Sequence, residues 1–484
     1  MALRSPEAFR QSLRDDRVVY FRGERVKDVT QHPILRIGVE SAAVDYQIGE
    51  DPSCQDFAVV RLEDGEPVSR YLVPPRNADD LLKRRQLVEA GSRICFGFPP
   101  FAKEGGTDAL HAMAITAQRM DKALGTPYAP RVAAFRRHLQ RGDLSLAIAM
   151  TDVKGDRSLR PSEQADPDLY LRKVKERQDG ILVRGAKAHI TSAPYTNEIL
   201  VLPTRAMTEA DRDYALAFAL PVTTPGLTII ARPTGAPGGP DEYPVSSQAD
   251  IIEGLVVFED VFVPWERVFL NGEWQFAGLA THMFANFHRV TASAYKYPFA
   301  ELLVGAALLM AEANGIDRIS HVREKIAWLV YYAETIAALS RAACERPVVD
   351  ADSRIAYPDP ILGNAAKFFF ADNYHQVVKT IQDIGGGILV TAPSMQDYEN
   401  PALRPLIAKY LAGKAEVPAS QRLRVIKLVK DLVASDMGGF WEVLTIHGEG
   451  SLAAEKLAIY GAADFERYRR AARRAAGLSG EPRA

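Results

Sequence analysis

The change of periodicity along the chain constrains its fold more than any other feature. Residues 144–264 contain short apolar runs separated by turn residues, whereas the flanking regions show the spacing of amphipathic helices. A hairpin is predicted within residues 170–184, because the turn QDG separates two runs typical of strands. We therefore predict an α+β chain with an N-terminal mainly helical domain (1–143), a middle antiparallel β domain (144–266) and a C-terminal helical bundle (267–484).

The predicted elements are distributed in the same way. Further strands are expected at residues 198–202, 215–222, 227–231 and 255–263, and helices at 300–313, 321–345, 360–384, 401–414 and 420–433. Residues 326–343 are apolar nearly all round. This helix is therefore expected to be buried inside a bundle or between subunits.

Composition excludes several classes of protein. The 484 residues carry a formal net charge of −2, which gives no indication of a nucleic-acid partner. Residues 302–311 are apolar but too few to span a bilayer, and the N-terminus lacks the apolar core of a signal peptide. Three scattered cysteines, Cys54, Cys95 and Cys344, form no CxxC pair and predict no disulfide framework. We expect a cytoplasmic protein that does not bind membranes.

One predicted strand ends in a polar loop. Residues 144–148 (LSLAI) are typical of a buried strand, and residues 149–158 (AMTDVKGDRS) follow with hydroxyl, carboxylate and cationic groups. Such a loop can bind a planar or phosphate-bearing ligand. From composition alone, an ordinary solvated turn is the alternative.

Four segments, in order, resemble the family of 4-hydroxyphenylacetate 3-monooxygenase and 4-hydroxybutyryl-CoA dehydratase. They are residues 149–158, 183–189 (VRGAKAH), 256–266 (VVFEDVFVPWE) and 383–387 (DIGGG). The resemblance covers most of the chain and is nearer to the dehydratase branch. It implies an acyl-CoA dehydrogenase-like fold, with FAD between the β domain and the C-terminal helices of a homotetramer.

The same resemblance implies a set of FAD contacts. Three segments would contact FAD. The polar loop and residues 183–191 would line two sides of the flavin, and a glycine turn would contact the pyrophosphate or adenine. The set is Met150, Thr151, Asp152, Arg157, Ser158, Lys187, His189 and Thr191, together with Gly385, Gly386 and Gly387. On residue type alone, His189 would be a core histidine and the glycines a flexible helix terminus.

The dehydratase branch further implies a catalytic set that this chain keeps only in part. His288 and Lys296 match, but Tyr295 replaces a cysteine of the iron–sulfur cluster, and Ala292 replaces an acid/base tyrosine. The branch's CxxxC pair is also missing, and only Cys95 lies nearby. Because such clusters are held mainly by thiolates, we expect no metal centre.

The residues expected near the substrate are in part retained from the family and in part replaced. Glu253 lies where the dehydratases hold a carboxylate near the substrate, and it is also a candidate ion-pair partner for Lys296. The hydroxylases grip a phenol with a GRSPxY segment, which is replaced here by GFPPFA. Phe98 and Phe101 are therefore expected to line a more apolar pocket. Tyr295 and His288 complete the catalytic candidates, with His288 as a general base or hydrogen-bonding partner of an oxygen intermediate.

These residues favour an FAD-dependent monooxygenase or oxidase that acts on a small organic substrate, including aromatic compounds. Reduced FAD is expected from a separate flavin reductase, because no GxGxxG nucleotide-binding fingerprint is visible. The alternative is a CoA-ester enzyme similar to 4-hydroxybutyryl-CoA dehydratase/vinylacetyl-CoA isomerase but without an iron–sulfur cluster. A flavin-binding protein without activity is a third interpretation, against which the retention of His288, Lys296 and Glu253 argues.

Overall fold

The computed structural model describes residues 3–236 and 238–478, and their first part is mainly helical. The helices there are α1 (Pro6–Ser12), α2 (Leu35–Glu50), α3 (Gln55–Ala58), α4 (Ala78–Ile94), α5 (Glu104–Leu124) and α6 (Tyr128–Gly142). Asn77 caps α4, because its side chain accepts a hydrogen bond from the backbone N–H of Asp80. Four short strands accompany them: β1 (Val19–Phe21), β2 (Glu24–Val26), β3 (Val59–Arg61) and β4 (Pro67–Ser69).

Two sheets form the middle of the chain. Their remaining strands are β5 (Leu146–Ala149), β6 (Arg172–Glu176), β7 (Gly180–Thr191), β8 (Glu198–Val201), β9 (Leu216–Pro221), β10 (Leu227–Ala231), β11 (Glu253–Pro264) and β12 (Val268–Asn271), with the short α7 (Gly239–Glu242) before β11. The six-stranded sheet has the order β2-β1-β10-β11-β7-β6, and the four-stranded sheet the order β12-β9-β8-β5. The predicted hairpin is confirmed as β6–β7.

The sheets differ from the sequence prediction in two respects. Their pairing is antiparallel except for β1–β10 and β5–β8, which are parallel. Moreover, β1 and β2 come from the N-terminal part and β12 from beyond residue 266, so the sheets reach across the predicted borders. The two long strands β7 and β11 pair in the centre of the larger sheet and bury alternate residues, as expected for strands with one face on a core.

The C-terminal part is a helical bundle with one small hairpin. It consists of α8 (Trp274–Ala313), α9 (Ser320–Glu345), β13 (Val348–Val349), β14 (Ala356–Tyr357), α10 (Pro360–Gly385), α11 (Ile388–Thr391), α12 (Met395–Glu399), α13 (Arg404–Tyr410), α14 (Ala419–Val433), α15 (Asp436–His447), α16 (Leu452–Ala462) and α17 (Phe465–Ala475). Helix α8 has 40 residues and continues through Pro298. It packs against α4 and α5 on one side and α9, α10 and α14 on the other.

The apolar helix predicted at residues 326–343 forms most of α9. Its Leu329 and Ile336 are buried in the bundle, whereas Val330 is 42% and Tyr331 is 56% exposed. The expectation of burial inside a bundle is thus met on one face, and a subunit contact on the other face stays a prediction. Among residues 3–236 and 238–478, no helix is both long and apolar enough to cross a membrane.

Candidate active site

The middle of α8 carries three of the predicted catalytic residues. His288 and Tyr295 are seven positions apart, close to two helical turns, so they project from the same face, with Lys296 beside them. All three side chains are buried among helices of the bundle. The sequence analysis named all three as candidates, although it did not assign this stretch to a helix.

His288 is oriented by a buried carboxylate. Its Nδ1 lies 3.0 Å from Oδ2 of Asp108 on α5. Asp108 also accepts from Arg84, at 2.7 Å, and from the hydroxyl of Thr291, at 3.0 Å. Since a carboxylate engaged in this way only accepts, Nδ1 carries a hydrogen and donates to Asp108. Nε2 has no hydrogen-bond partner within the described part of the chain, and it is therefore free for a substrate.

Aromatic rings surround His288. The ring of Phe284 stacks on it at 4.7 Å, and the ring of Phe101 approaches edge-on at 6.1 Å. Phe101 also lies 5.6 Å from the ring of Tyr295. Gly105 permits this proximity, because a Cβ there would stand 3.0 Å from Phe101 and 3.3 Å from Cε1 of His288.

The two phenylalanines predicted to line the pocket have different surroundings. Phe101 lies at His288, as expected. Phe98 is almost fully buried and packs against Trp441 and Phe299, at ring distances of 4.5 and 5.8 Å. Phe98 thus belongs to the core behind the site, because its place in the chain directs it between α8 and α15.

The other end of the site is organised by Glu449, which the sequence analysis missed. Glu449 lies in the loop between α15 and α16 and has φ = 59°. Its carboxylate accepts from the hydroxyl of Tyr295 and, at 2.6 Å, from Nζ of Lys296. The partner of Lys296 is therefore Glu449 and not Glu253. The only local signal is that Glu449 stands between Gly448 and Gly450, which is typical of a sharp turn.

The electrostatics of this cluster favour an ionised Glu449. Burial by itself would raise the pKa of its carboxyl group, but Lys296, Lys367 and His288 outweigh burial and lower that pKa to about 2. Burial lowers the pKa of Lys296 to about 8, with Glu449 acting in the opposite direction. Burial and then Glu449 raise the pKa of Tyr295 well above its ordinary value. At neutral pH the cluster thus consists of an ion pair and a neutral phenol.

Glu253 is the remaining catalytic candidate, and its side chain is buried. It begins β11 and accepts from Nε of Arg232 at 2.9 Å, while its other oxygen has no partner among the described residues. Burial raises its pKa to about 7, although Arg232 acts in the opposite direction. The charge of Glu253 also contributes to the raised pKa of Tyr295, after burial and two other glutamates.

The predicted flavin loop begins where β5 ends. The carbonyl oxygen of Met150 accepts from Nζ of Lys187 at 2.9 Å, and the carbonyl oxygen of Thr151 accepts from the N–H of Ala188 at 2.9 Å. Lys187 also donates to Asp152 at 2.6 Å and to the carbonyl oxygen of Leu202. Because an ammonium group has three hydrogens, Lys187 has none left for a ligand. It fixes the loop instead.

The groups that remain available lie around this fixed loop. The hydroxyl of Thr151 is half-buried, and the side chains of Arg157 and His189 are exposed; none of the three has a hydrogen bond or ion pair to another described residue. Ser158 is exposed, but its hydroxyl donates to Asp156 at 2.6 Å. Thr191 pairs with Glu253 in the β7–β11 ladder, so this predicted flavin contact lies next to Glu253.

The glycine turn follows α10. Gly386 has φ = 70°, and a Cβ added at Gly386 or Gly387 would meet no atom within 4 Å, whereas Gly385 packs closely on Leu389. No hydrogen bond links the turn to the polar loop within the described chain. The open space at Gly386 and Gly387 fits the approach of a cofactor backbone, and the unpartnered Thr151 and Arg157 fit the polar edge of a flavin.

An iron–sulfur cluster does not fit the same residues. The position of one expected thiolate is occupied by Tyr295, and the segment of the expected CxxxC pair provides Phe98 and Phe101. Cys95 is buried with its Sγ 3.7 Å from the carbonyl oxygen of Ser41, and burial raises the pKa of its thiol. Over the described residues, no group of three or more His, Cys, Asp or Glu side chains is arranged to hold a metal ion.

Comparisons with known proteins agree over nearly the whole chain. Residues 5–270 match the family described as 4-hydroxyphenylacetate 3-hydroxylase N terminal, and residues 277–477 match its C terminal counterpart. The 4-hydroxybutyryl-CoA dehydratase/vinylacetyl-CoA-Delta-isomerase of Clostridium aminobutyricum is 31% identical over 98% of this chain and 100% of its own length. The 4-hydroxyphenylacetate 3-monooxygenase oxygenase component of Thermus thermophilus is 31% identical over 88% of this chain and 87% of its own.

Solved structures show the same two branches. An oxygen-tolerant archaeal 4-hydroxybutyryl-CoA dehydratase from N. maritimus has a TM-score of 0.92 at 30% identity and covers 100% of this chain and 97% of its own. The oxygenase component of 4-hydroxyphenylacetate 3-monooxygenase, in complex with FAD and 4-hydroxyphenylacetate, has a TM-score of 0.89 at 29% identity. That match covers 97% of this chain and 98% of the other. The predicted fold is thereby confirmed.

Proposed function

The chain belongs to the 4-hydroxyphenylacetate 3-hydroxylase family, and from this premise we propose that it is an FAD-dependent monooxygenase of a small organic substrate. The observation that carries the proposal is the packing of Phe101 and Tyr295 beside His288. This packing sets aromatic rings beside one imidazole nitrogen without a partner among the described residues, and it leaves no cysteine in place for a cluster. A phenol is the substrate class that such a wall fits best.

FAD would be held by the β-domain loop and the glycine turn. The backbone of Met150, Thr151 and Asp152 is fixed by Lys187, so its unpaired polar groups face the cofactor without rearrangement. The other contacts proposed are Arg157, Ser158, His189 and Thr191 at the ring edge and ribityl chain, and Gly385, Gly386 and Gly387 at the pyrophosphate or adenine. Bound reduced FAD would supply the electrons that activate O2.

His288 is the proposed proton-transfer residue. Its Nε2 can accept a proton from a substrate hydroxyl, while Asp108 holds Nδ1 and stabilises the imidazolium that results. The Arg84–Asp108 ion pair, with N and O 2.7 Å apart, keeps that carboxylate in place. Phe101 and Phe284 exclude water from the ring of His288.

Tyr295, Lys296 and Glu449 form the proposed polar end of the pocket. Because Lys296 and Tyr295 both donate to Glu449, this end is held in place and acts by position and charge. Glu253, whose pKa is about 7, is close to half-protonated at neutral pH. It can therefore give or take a proton, which is the role we propose for it.

The CoA-ester enzyme without a cluster remains the second candidate. It is favoured by the retention of His288, Lys296 and Glu253, and by the match with the Clostridium dehydratase over 98% of the chain. In that reaction His288 would remove a proton from an acyl-CoA without net oxidation. The two proposals differ in their need for O2.

The proposed partners are a separate flavin reductase and further copies of the chain. The relatives include proteins named as oxygenase components, which supports a second component that supplies reduced flavin. The exposed Val330 and Tyr331 of α9 support a homotetramer. The three free cysteines support a reducing compartment such as the cytoplasm.

The experiment is a turnover screen of the purified, FAD-loaded protein. Reduced FAD and O2 are supplied with a panel of phenols, and acyl-CoA esters are tested in parallel with and without O2. We expect a flavin absorption spectrum, no stoichiometric iron, and O2-dependent conversion of a phenol. Conversion of an acyl-CoA in the absence of O2 would favour the second candidate, and about four irons per chain would contradict both.

A further inference from the structure

A cleft that contains none of the candidate site residues is lined by three arginines. Its volume is about 530 Å³, within the range of sites for small organic ligands. Arg76 lies between β4 and α4, Arg136 lies on α6, and Arg354 lies in the turn of the β13–β14 hairpin. Val349 and Ile355 provide apolar walls. No acidic residue lines the cleft.

The guanidinium groups of Arg76, Arg136 and Arg354 have no hydrogen bond or ion pair to any other described residue. Arg136 is half-buried, and burial together with the charges of Arg137 and Arg76 lowers its pKa. Arg76 and Arg354 are exposed, and cations that line one cleft without a counter-charge repel one another, more strongly where water is partly excluded. The arrangement is therefore unfavourable until an anion enters.

The nearby carboxylates are engaged elsewhere. Asp350, in the same hairpin, forms an ion pair with Arg119 and accepts a hydrogen bond from the hydroxyl of Ser353. Asp352 pairs with Lys122 on α5. These ion pairs anchor the hairpin to α5 and hold Arg354, whose φ is 60°, at the mouth of the cleft. The hairpin thus presents its cation to the cleft and directs its acids away from it.

We propose that this cleft binds the phosphate or pyrophosphate group of a small molecule. Guanidinium groups offer planar pairs of donors that match phosphate oxygens, and three of them around one volume can each donate two hydrogen bonds. Val349 and Ile355 leave an apolar surface beside the charged part. The chemistry suits inorganic pyrophosphate and the diphosphate end of a nucleotide alike, and binding experiments distinguish these two sources.

The test measures binding to the purified, flavin-loaded protein by calorimetry at constant ionic strength. The probes are inorganic pyrophosphate, ADP and chloride. We expect saturable binding of pyrophosphate and ADP and none of chloride. Equal affinity for the two would identify the phosphate group as the whole determinant, whereas tighter binding of ADP would identify a nucleotide that also contacts the apolar wall.

Three variants test whether pyrophosphate binds in this cleft. Arg136→Gln and Arg354→Gln should each weaken pyrophosphate binding at least about tenfold, since each removes charged hydrogen bonds. Arg25→Gln is the matched control, because Arg25 is an exposed arginine of β2 without a side-chain partner, and it should leave the affinity unchanged. Melting temperature in chloride reports folding, and Arg136→Gln should not lower it because it relieves repulsion. Equal losses in all three variants, or unchanged binding in Arg136→Gln, would overturn the proposal.

Discussion

The side chains of Glu253 and Glu449 are both buried, yet their carboxyl pKa values shift in opposite directions. Glu253 has one cationic partner and an oxygen without a hydrogen bond, and burial raises its pKa to about 7. Glu449 meets burial as well, but Lys296, Lys367 and His288 surround it and lower its pKa to about 2. The number of cations within reach, and not burial, decides the charge of each group. One acid is thus permanently ionised, while the other can exchange a proton near neutral pH.

This difference separates two kinds of residue in the site. Lys296, Tyr295 and Glu449 satisfy one another and form a rigid polar end. His288 and Glu253 each keep one atom without a partner among the described residues, and these atoms are the ones that can reach a substrate. Function should therefore depend on the second set, and stability on the first.

The largest effect is expected from His288→Ala. Turnover with reduced FAD, O2 and a substrate should fall roughly 10²- to 10⁴-fold, because a positioned acid/base group is lost. Flavin occupancy should remain near that of the unchanged protein. Specific activity and melting temperature of the same preparation measure the two effects.

His111→Ala is the matched control for that substitution. His111 is a fully buried histidine on α5, both ring nitrogens are unpartnered in the described structure, and burial lowers its pKa. We expect a loss of a few kcal/mol in the free energy of unfolding with unchanged specific activity. If His288→Ala behaved like this control, His288 would be a core residue.

Glu449→Gln should mainly reduce stability. It leaves the buried Lys296 without its carboxylate, whereas Lys367 keeps Glu455 at 3.3 Å, and the loss of a buried partner costs about 3–5 kcal/mol in the free energy of unfolding. Because the pKa of Glu449 is lowered, its contribution is present above the ordinary value of 4.5 and is lost as pH falls towards 2. Urea unfolding at neutral pH measures the loss. Glu442→Gln, in an exposed pair with His375, should cost about 1 kcal/mol or less, and an equal cost for both would contradict the assignment.

Glu253→Gln should change how the free energy of unfolding depends on pH more than it changes the free energy of unfolding at any one pH. Because the pKa of Glu253 is raised, the stability it contributes is fully present below 4.5 and is lost as pH rises through about 7. The variant should therefore lose less stability than the unchanged protein between pH 5 and 8, by about 1–3 kcal/mol. Asp250, whose pKa burial raises to about 6, should account for the slope that remains. Identical pH profiles for variant and parent would refute the raised pKa.

The smallest expected effect is that of Arg232→Lys. Arg232 donates to both Glu253 and Asp250, at 2.9 and 3.0 Å. A lysine keeps the charge but not the planar set of donors, so the pKa of Glu253 should rise by about one unit. The midpoint of the pH–stability profile reports this shift. A downward shift would show that Arg232 does not stabilise the ionised carboxylate.

Much of the fold follows from local signals. The strand at β5 and the β6–β7 hairpin were predictable from apolar runs and turn residues, and α10 and α14 from helical spacing. The start of α8 was not predictable in this way. Pro298 interrupts the pattern, and the apolar residues before Pro298 lie on all sides of the helix. Parallel pairing of β1 with β10 joins residues about 210 positions apart, for which no local pattern exists.

The site was predictable to the extent that its residues lie on one element. His288, Tyr295 and Lys296 share a helix, and their spacing alone places them together. Glu449 reaches them from a loop more than 150 residues later, so its role appears only in three dimensions. Lys187 shows the reverse case: its residue type suggested a ligand contact, but three distant oxygens occupy its donors.

The most direct test of the proposed oxygenation is isotope labelling. The FAD-loaded protein is reduced without air, mixed with ¹⁸O2 and a phenol that it converts, and the product is analysed by mass spectrometry. One ¹⁸O atom in the hydroxylated product, with the second atom released as water, is the expected result. A product without ¹⁸O, formed equally well in the absence of O2, would contradict a monooxygenase.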